Sequence, residues 1–366
     1  MSDISQNHAL QGSEETSAPP WVRNLAELSP SLLAAVYPFL LRGFHAGMTW
    51  SEGGPTLLDI AGAVFFMALA FSVPALAFVF AYRKASIARP TAFQIEARRL
   101  AYLTVGVPPL YVLLGVLDTF AGTPASPEWA WAFVWIAGCL WASAAGPASH
   151  VTAQTSTSPA SSSRGSKMIG RLRVGHGIIA ATVLIFIVFH LTNHMIALNG
   201  PEAHTAVMDA GRKIYRQPAV EVVLVALLLL QVAGGITLAW RWSAMPADFY
   251  RVFQIASGAY LACFILCHMN SVFVGARLIW DIPTDWAFMT SQPTGLLHSA
   301  GSLLPHYTLG VFFVLGHLIS GLRHVSLTHG FNRAAVNRLW GVGVAMSMVI
   351  AVAIMAGLCG VTIGKS

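Results

Sequence analysis

The chain has 366 residues, 55% of them hydrophobic and only 10% charged, with a mean hydropathy of +0.64. A water-soluble domain carries nearer a quarter charged residues, so this balance excludes a globular protein folding in water. The formal charge of +6 and pI near 9.4 do not mark a nucleic-acid partner, because the basic residues are spread over alternating loops and form no basic domain.

Residues 1–21 are polar, with no basic start followed by an apolar core, so no cleavable signal peptide is expected and 1–28 reads as a disordered tail. In 30–50 an apolar pattern is interrupted by Arg42 and His45, which suits an interfacial segment better than a span. Eight apolar runs follow, near 57–81, 100–120, 129–145, 174–198, 220–240, 252–276, 307–327 and 340–361. Each approaches the roughly 20 residues that match a hydrocarbon core of about 30 Å at 1.5 Å rise per residue. The expected class is all-α, a polytopic membrane protein of about eight spans. Pro74, Pro108 and Pro109 fall inside spans, where they should kink or locally unwind the helix.

A Ser/Thr/Ala/Pro-rich stretch at 148–168 reads as a flexible linker. It divides an N-terminal membrane module (29–147) from a C-terminal module (169–366) with five spans.

Positive charge sets the orientation. Arg83, Lys84, Arg98, Arg99, Arg164, Lys167, Arg171, Arg173, Arg333 and Arg338 all lie in odd-numbered loops, whereas the even-numbered loops hold four such residues. By the positive-inside rule the odd loops face the cytoplasm. Eight spans then leave both termini outside, and a ninth would move the N-terminus in. The four cysteines, Cys139, Cys263, Cys267 and Cys359, sit in apolar runs without a Cys-x-x-Cys-His haem-attachment motif, and read as buried thiols.

Ten of the 13 histidines lie in the C-terminal module. Histidine is costly in hydrocarbon and there commonly marks a cofactor or ion path. His190 in the fourth span and His268 in the sixth lie on helices running in the same direction. Each is about eight or nine residues from its outer end, roughly 12–14 Å deep. Two imidazoles at equal depth on neighbouring helices suit the two faces of a b-type haem; the alternative is two separate polar residues bonded to nearby carbonyls. His194, one turn beyond His190, is its rival on the same helix and a candidate for holding a propionate. His317 in the seventh span lies about 18 Å from the outside, and Gln231 on the antiparallel fifth span is at almost that depth, where a second pair would want a histidine. Gly234, Gly235 and Gly321 suit close approach of a macrocycle or of another helix. His176 lies 14 residues before His190, but no other helix repeats that spacing in histidine. Arg323 and His324 at the inner end of the seventh span are candidates for propionate or quinone contact, or for anchoring at the cytoplasmic surface. Asp118 and Glu221 lie near span ends, leaving no mid-membrane carboxylate for a proton pump.

From about 171 to 365 the sequence resembles the five-helix cytochrome b anchor subunit of succinate dehydrogenases and fumarate reductases. FHLTNHMIALNGPEAH places His190 on the first core helix of that pattern, CHMN places His268 on the third, and VLGHLISGLRH places His317, Gly321, Arg323 and His324 on the fourth. On the second, LLQVAGGI has Gln231 where the family carries histidine, and the three N-terminal spans have no counterpart. The resemblance implies a five-helix cytochrome b bundle in which His190 and His268 hold the haem farther from the catalytic subunits. For a second haem it leaves only His317.

The resulting expectation is an electron-transfer protein in the bilayer, with one haem b (a second being possible) and a membrane quinone as its substrate. Flavoprotein and iron–sulfur subunits would be its partners, and a bacterial inner membrane its location. No loop carries a phosphate-cradling Gly-rich turn or a cysteine cluster, so flavin and iron–sulfur chemistry would belong to other chains. The competing expectation is a haem-free transporter or channel lined by buried His and Arg, or an anchor scaffold without haem.

Overall fold

A computed structural model describes residues 20–49, 54–122, 127–144, 159–291, 295–297 and 303–363. Every regular element in them that extends over several residues is helical. The N-terminal helices are α1 (Pro20–Met48), α2 (Leu57–Ala85), α3 (Ala92–Val105), α4 (Val107–Ala121) and α5 (Pro127–Ala144). Next come α6 (Pro159–Met195), a 3-10 turn (Ile196–Asn199), α7 (Pro201–Tyr215), α8 (Pro218–Ser243) and α9 (Phe249–Met269). A π-helical segment (Asn270–Ile279) prolongs α9, and α10 (Trp286–Thr290), α11 (Leu303–Thr328) and α12 (Arg333–Leu358) complete the chain.

Local sequence sets the helix starts. Thr56 and Asp59 form a reciprocal capping box on α2, Thr91 and Gln94 form another on α3, and Asp248 and Asn332 cap α9 and α12. Each cap satisfies backbone N–H groups that a helix leaves open. Between α3 and α4 the chain turns by 75°. Gly106 caps α3 there with its N–H on the Leu103 and Thr104 carbonyls. Pro108 and Pro109, expected to perturb a span, sit in the first turn of the new helix, where proline needs no N–H partner.

Seven helices among the described residues are long and apolar enough to cross a bilayer, and eight if the bent α3–α4 pair counts as one span. The chain is thus an integral, multi-pass helical membrane protein. The set differs from expectation in the N-terminal module, where α5, over the expected span 129–145, is not among these candidates and α1 is. Residues 30–50, expected at the interface, belong largely to the 29-residue α1, whose Asn24–Met48 stretch has the length and composition of a span. Leu28, Ser31, Ala34, Tyr37, Leu41 and Phe44 recur every three to four residues and form its buried stripe. Arg42 and His45 fall off that stripe and are exposed. If α1 crosses, residue 20 lies on the same side as the basic loop after α2. Of the expected tail, 1–19 lies outside the described residues and 20–28 is helical. Of the expected linker, 148–158 lies outside them, while 159–168 is already the first part of the 37-residue α6.

The two modules share one core. Ala77, Ala81, Tyr102 and Val105 of the first are continuous with Phe253, Ala256, Tyr260 and Phe313 of the second. At the basic end, Arg99 donates to the Trp240 carbonyl (3.3 Å) and Ser243 Oγ (3.3 Å) while lying over the Trp240 ring. It thereby supplies donors to the end of α8, whose last carbonyls lack intrahelical partners.

The charge bias of the loops places the end of α12 outside, and Cys359 there is exposed. A membrane-impermeant maleimide applied to intact cells should label Cys359 in the wild type and lose that signal in Cys359→Ser. Labelling only after permeabilisation would invert the topology.

Candidate functional site

His190 and His268 do meet. Their ring centroids are 6.0 Å apart, on α6 and α9. On each helix a phenylalanine one turn earlier lies parallel to the imidazole: Phe186 on His190 at 5.3 Å and Phe264 on His268 at 5.8 Å. Side chains four residues apart share a helix face, which brings each pair together. Tyr307 of α11 stands edge-on to His268 at 5.9 Å. Gly310 of α11 is needed for this packing, because a Cβ there would lie 2.4 Å from the Phe264 ring.

His194 joins the cluster from one turn above His190, with ring centroids 4.6 Å apart. Its Nδ1 is 3.3 Å from Nε2 of His204, and the Asn193 amide nitrogen is 3.3 Å from that same Nε2. Asn193, His194 and His204 thus form one polar cluster beside His190. His268 Nδ1 is buried without a hydrogen-bond partner.

These rings open on a cavity of about 780 Å³, lined by His190, His194, His268 and Tyr307 and, nearer the expected outer surface, by Arg212, Arg216 and Arg277. Small-molecule and cofactor pockets commonly measure about 300–1,000 Å³. Arg212 in the last turn of α7 and Arg216, which caps its end, both donate to Thr284: to its carbonyl at 2.6 Å and to its hydroxyl at 2.8 Å. The Nε of each is buried and unpartnered. Arg277 pairs with Glu221 at 2.9 Å. Gly211 lets α7 lie flush on the bundle, since a Cβ at this position would approach the Phe189 ring to 2.2 Å.

Gln231 and His317, the residues a second haem would have had to use, do not face each other. Gln231 Nε2 lies 3.0 Å from His176 Nε2, whereas His317 Nδ1 lies 2.9 Å from the Ser257 hydroxyl. Equal depth was not sufficient, because Gln231 turns toward α6 and His317 toward α9. Gly234 and Gly235 accommodate the His176 ring at 3.4 Å, and Gly321 faces open space. Arg323 and His324 are remote from the His190–His268 cavity. His324 accepts from Arg173, which lies 17 residues before His190 on α6, about 25 Å by helical rise.

Sequence reasoning passed over Arg212, Arg216 and Arg277, and found no constellation in the N-terminal module. The i, i+4 arginines of RKIYR were the available signal. Arg42 and Glu128, paired at 2.7 Å, and Tyr111 line the same large cavity from α1, α5 and α4.

The site defines a class: a multi-pass helical membrane protein with a histidine-lined internal cavity. The chain matches no protein-family model, no curated protein and no solved structure.

Two outcomes follow from this packing. Gly310→Ala should destabilise the protein by about 1–3 kcal/mol, the usual cost of overpacking a filled interior, read as a lower thermal midpoint in detergent. His204, on α7 between spans, has its pKa lowered from 6.5 by burial and by nearby Arg212. The unfolded chain therefore takes up the proton first. Its stability contribution is complete above the ordinary histidine pKa and declines as pH falls through the window toward the lower folded value. Thermal midpoints should fall on mild acidification, and His204→Gln should reduce that dependence.

Proposed function

We propose that the chain is a membrane cytochrome b, holding a b-type haem between His190 and His268 and passing electrons between a membrane quinone and a partner redox subunit. The single observation carrying this reading is the His190–His268 pair, two rings 6.0 Å apart at the wall of a large cavity. A metal–imidazole nitrogen bond is about 2 Å long, so two imidazoles on one iron stand with ring centres roughly 6 Å apart. The donor set suits the group: neutral imidazoles deep in hydrocarbon for the iron, and Arg212 and Arg216 at the rim for its carboxylates.

When bound, a haem supplies one-electron chemistry. The protein's own contributions are binding and orientation. Phe186 and Phe264 fix the two ring planes, and Tyr307 closes the wall beside His268. The apolar lining excludes water, which lowers the local dielectric and strengthens the pull of the rim arginines on an anionic group. His194 lines the same cavity one turn from His190 and would compete with it to hold the iron.

The partner reading rests on the resemblance to succinate dehydrogenase and fumarate reductase anchors. In it, flavoprotein and iron–sulfur subunits dock on the cytoplasmic side of a bacterial inner membrane and carry the soluble chemistry. One haem per chain is proposed, because His317 and Gln231 are each engaged with another side chain.

Purified protein should show a reduced-minus-oxidised b-type spectrum and pyridine haemochrome near one haem per chain. His190→Ala and His268→Ala should each remove the bis-histidine signal while the protein still inserts. The double variant Arg212→Gln/Arg216→Gln should retain the spectrum but lose haem faster on dilution. Absence of any haem spectrum would sink the proposal; sensitivity at His194 in place of His190 would reassign the ligand, and a ratio near two with loss of one haem in His317→Ala would overturn the count.

A further inference from the structure

At the opposite end of the bundle a second cavity of about 170 Å³ lies between the start of α9, the end of α11 and the start of α12. Arg251, Arg323 and Arg333 reach it. Arg173 of α6 joins the same corner by donating to His324 at 2.6 Å. Four guanidiniums thus converge on a site that includes one carboxylate, Asp248, and its Oδ1 is occupied in capping α9 through the Arg251 N–H at 2.8 Å.

None of these four arginines forms an ion pair among the described residues, although Arg42, Arg99, Arg212 and Arg277 each do. The guanidinium hydrogen bonds of Arg173, Arg251 and Arg323 go to neutral side chains, and Asp248, bonded to the Arg251 backbone, is the one carboxylate whose charge acts on Arg251. Arg251 donates to Gln254 at 3.2 Å and lies over the Trp242 ring; Arg323 donates to Asn337 at 2.9 Å and stacks on Tyr250, its guanidinium carbon 3.5 Å from the ring centre. Converging cations repel one another, and at a membrane boundary that repulsion is screened less than in water. Such a cluster calls for an anion supplied from outside the chain.

The cavity's size and place select that anion. At about 170 Å³ it is small beside the pockets that enclose drug-sized ligands, but it has room for a tetrahedral oxyanion. Planar guanidiniums match phosphate oxygens in pairs. The helix ends around it carry the basic loops, so the positive-inside rule puts it at the cytoplasmic boundary of the hydrocarbon. Trp242 beside it and the Trp340 ring, edge-on to Tyr250, are side chains suited to that depth. We propose that this corner binds the phosphate of an anionic phospholipid of the inner leaflet, with the acyl chains lying outside along the bundle.

The test needs neither the large cavity nor its histidines. The full chain is placed in nanodiscs of phosphatidylcholine with added phosphatidylglycerol, and lipid retained on release is counted by native mass spectrometry. Wild type and Arg338→Gln, an exposed control on the same side, should retain phosphatidylglycerol over phosphatidylcholine. Arg251→Gln/Arg323→Gln should weaken that preference by about fivefold for each arginine lost, the usual worth of a basic side chain near an anionic membrane surface. Arg333→Gln, at an exposed position where folding is not at stake, should weaken it by about fivefold alone. Displacement of the lipid by inorganic phosphate would support recognition of the phosphate itself, and lipid retention indifferent to inorganic phosphate would support an acyl-bearing ligand. Equal retention of the two lipids by wild type would overturn the proposal, as would undiminished preference in both variants.

Discussion

Hydrocarbon offers a polar group no water, and the architecture of this protein follows from that single constraint. The backbone satisfies itself by winding into helices, and each polar side chain inside them must find a partner or a cavity. Asn193, His194 and His204 satisfy one another in part, Gln231 meets His176, and Ser257 meets His317. Once these are matched, His190 and His268 stand out. They are held by stacking on phenylalanines and face a space large enough for a cofactor. Such an arrangement is expensive to maintain for packing alone, which is why it directs attention to a bound group.

Much of this was legible in the sequence, for reasons that also explain where legibility stopped. Apolar run length reports spans directly, and the rise of 1.5 Å per residue converts position into depth. Depth brought His190 and His268 together on two helices that run in the same direction. Depth says nothing about rotation about the helix axis, which turns Gln231 toward His176 and His317 toward Ser257. Arg212 and Arg216 were missed for another reason. They lie at the end of α7 and on its cap, in a stretch between spans that reads from composition as a loop, yet the helix's flush seating at Gly211 carries both to the cavity rim. In α1, Arg42 and His45 weakened the apolar signal, although both lie off the stripe that packs the helix into the protein.

The N-terminal helices acquire a meaning from packing that composition alone did not suggest. α3 and α4 lie against α9, the helix that carries His268, and Arg42, Tyr111 and Glu128 form part of the large cavity's wall. These helices therefore help to decide what enters that cavity and from which side. A five-helix bundle without them would leave this wall to lipid.

The π-helical segment after His268 has a geometric consequence of its own. Arg277 follows His268 by nine residues, and at 3.6 residues per turn that interval rotates a side chain by about 180°, to the far side of the helix. A π-helix takes in roughly one residue more per turn, so nine residues complete about two whole turns. The segment works as an angular vernier, returning the guanidinium to the face that carries the imidazole, and both line one cavity. About two extra residues, one absorbed in each widened turn, are enough to convert a helix with a polar group on each side into one with both on the same side.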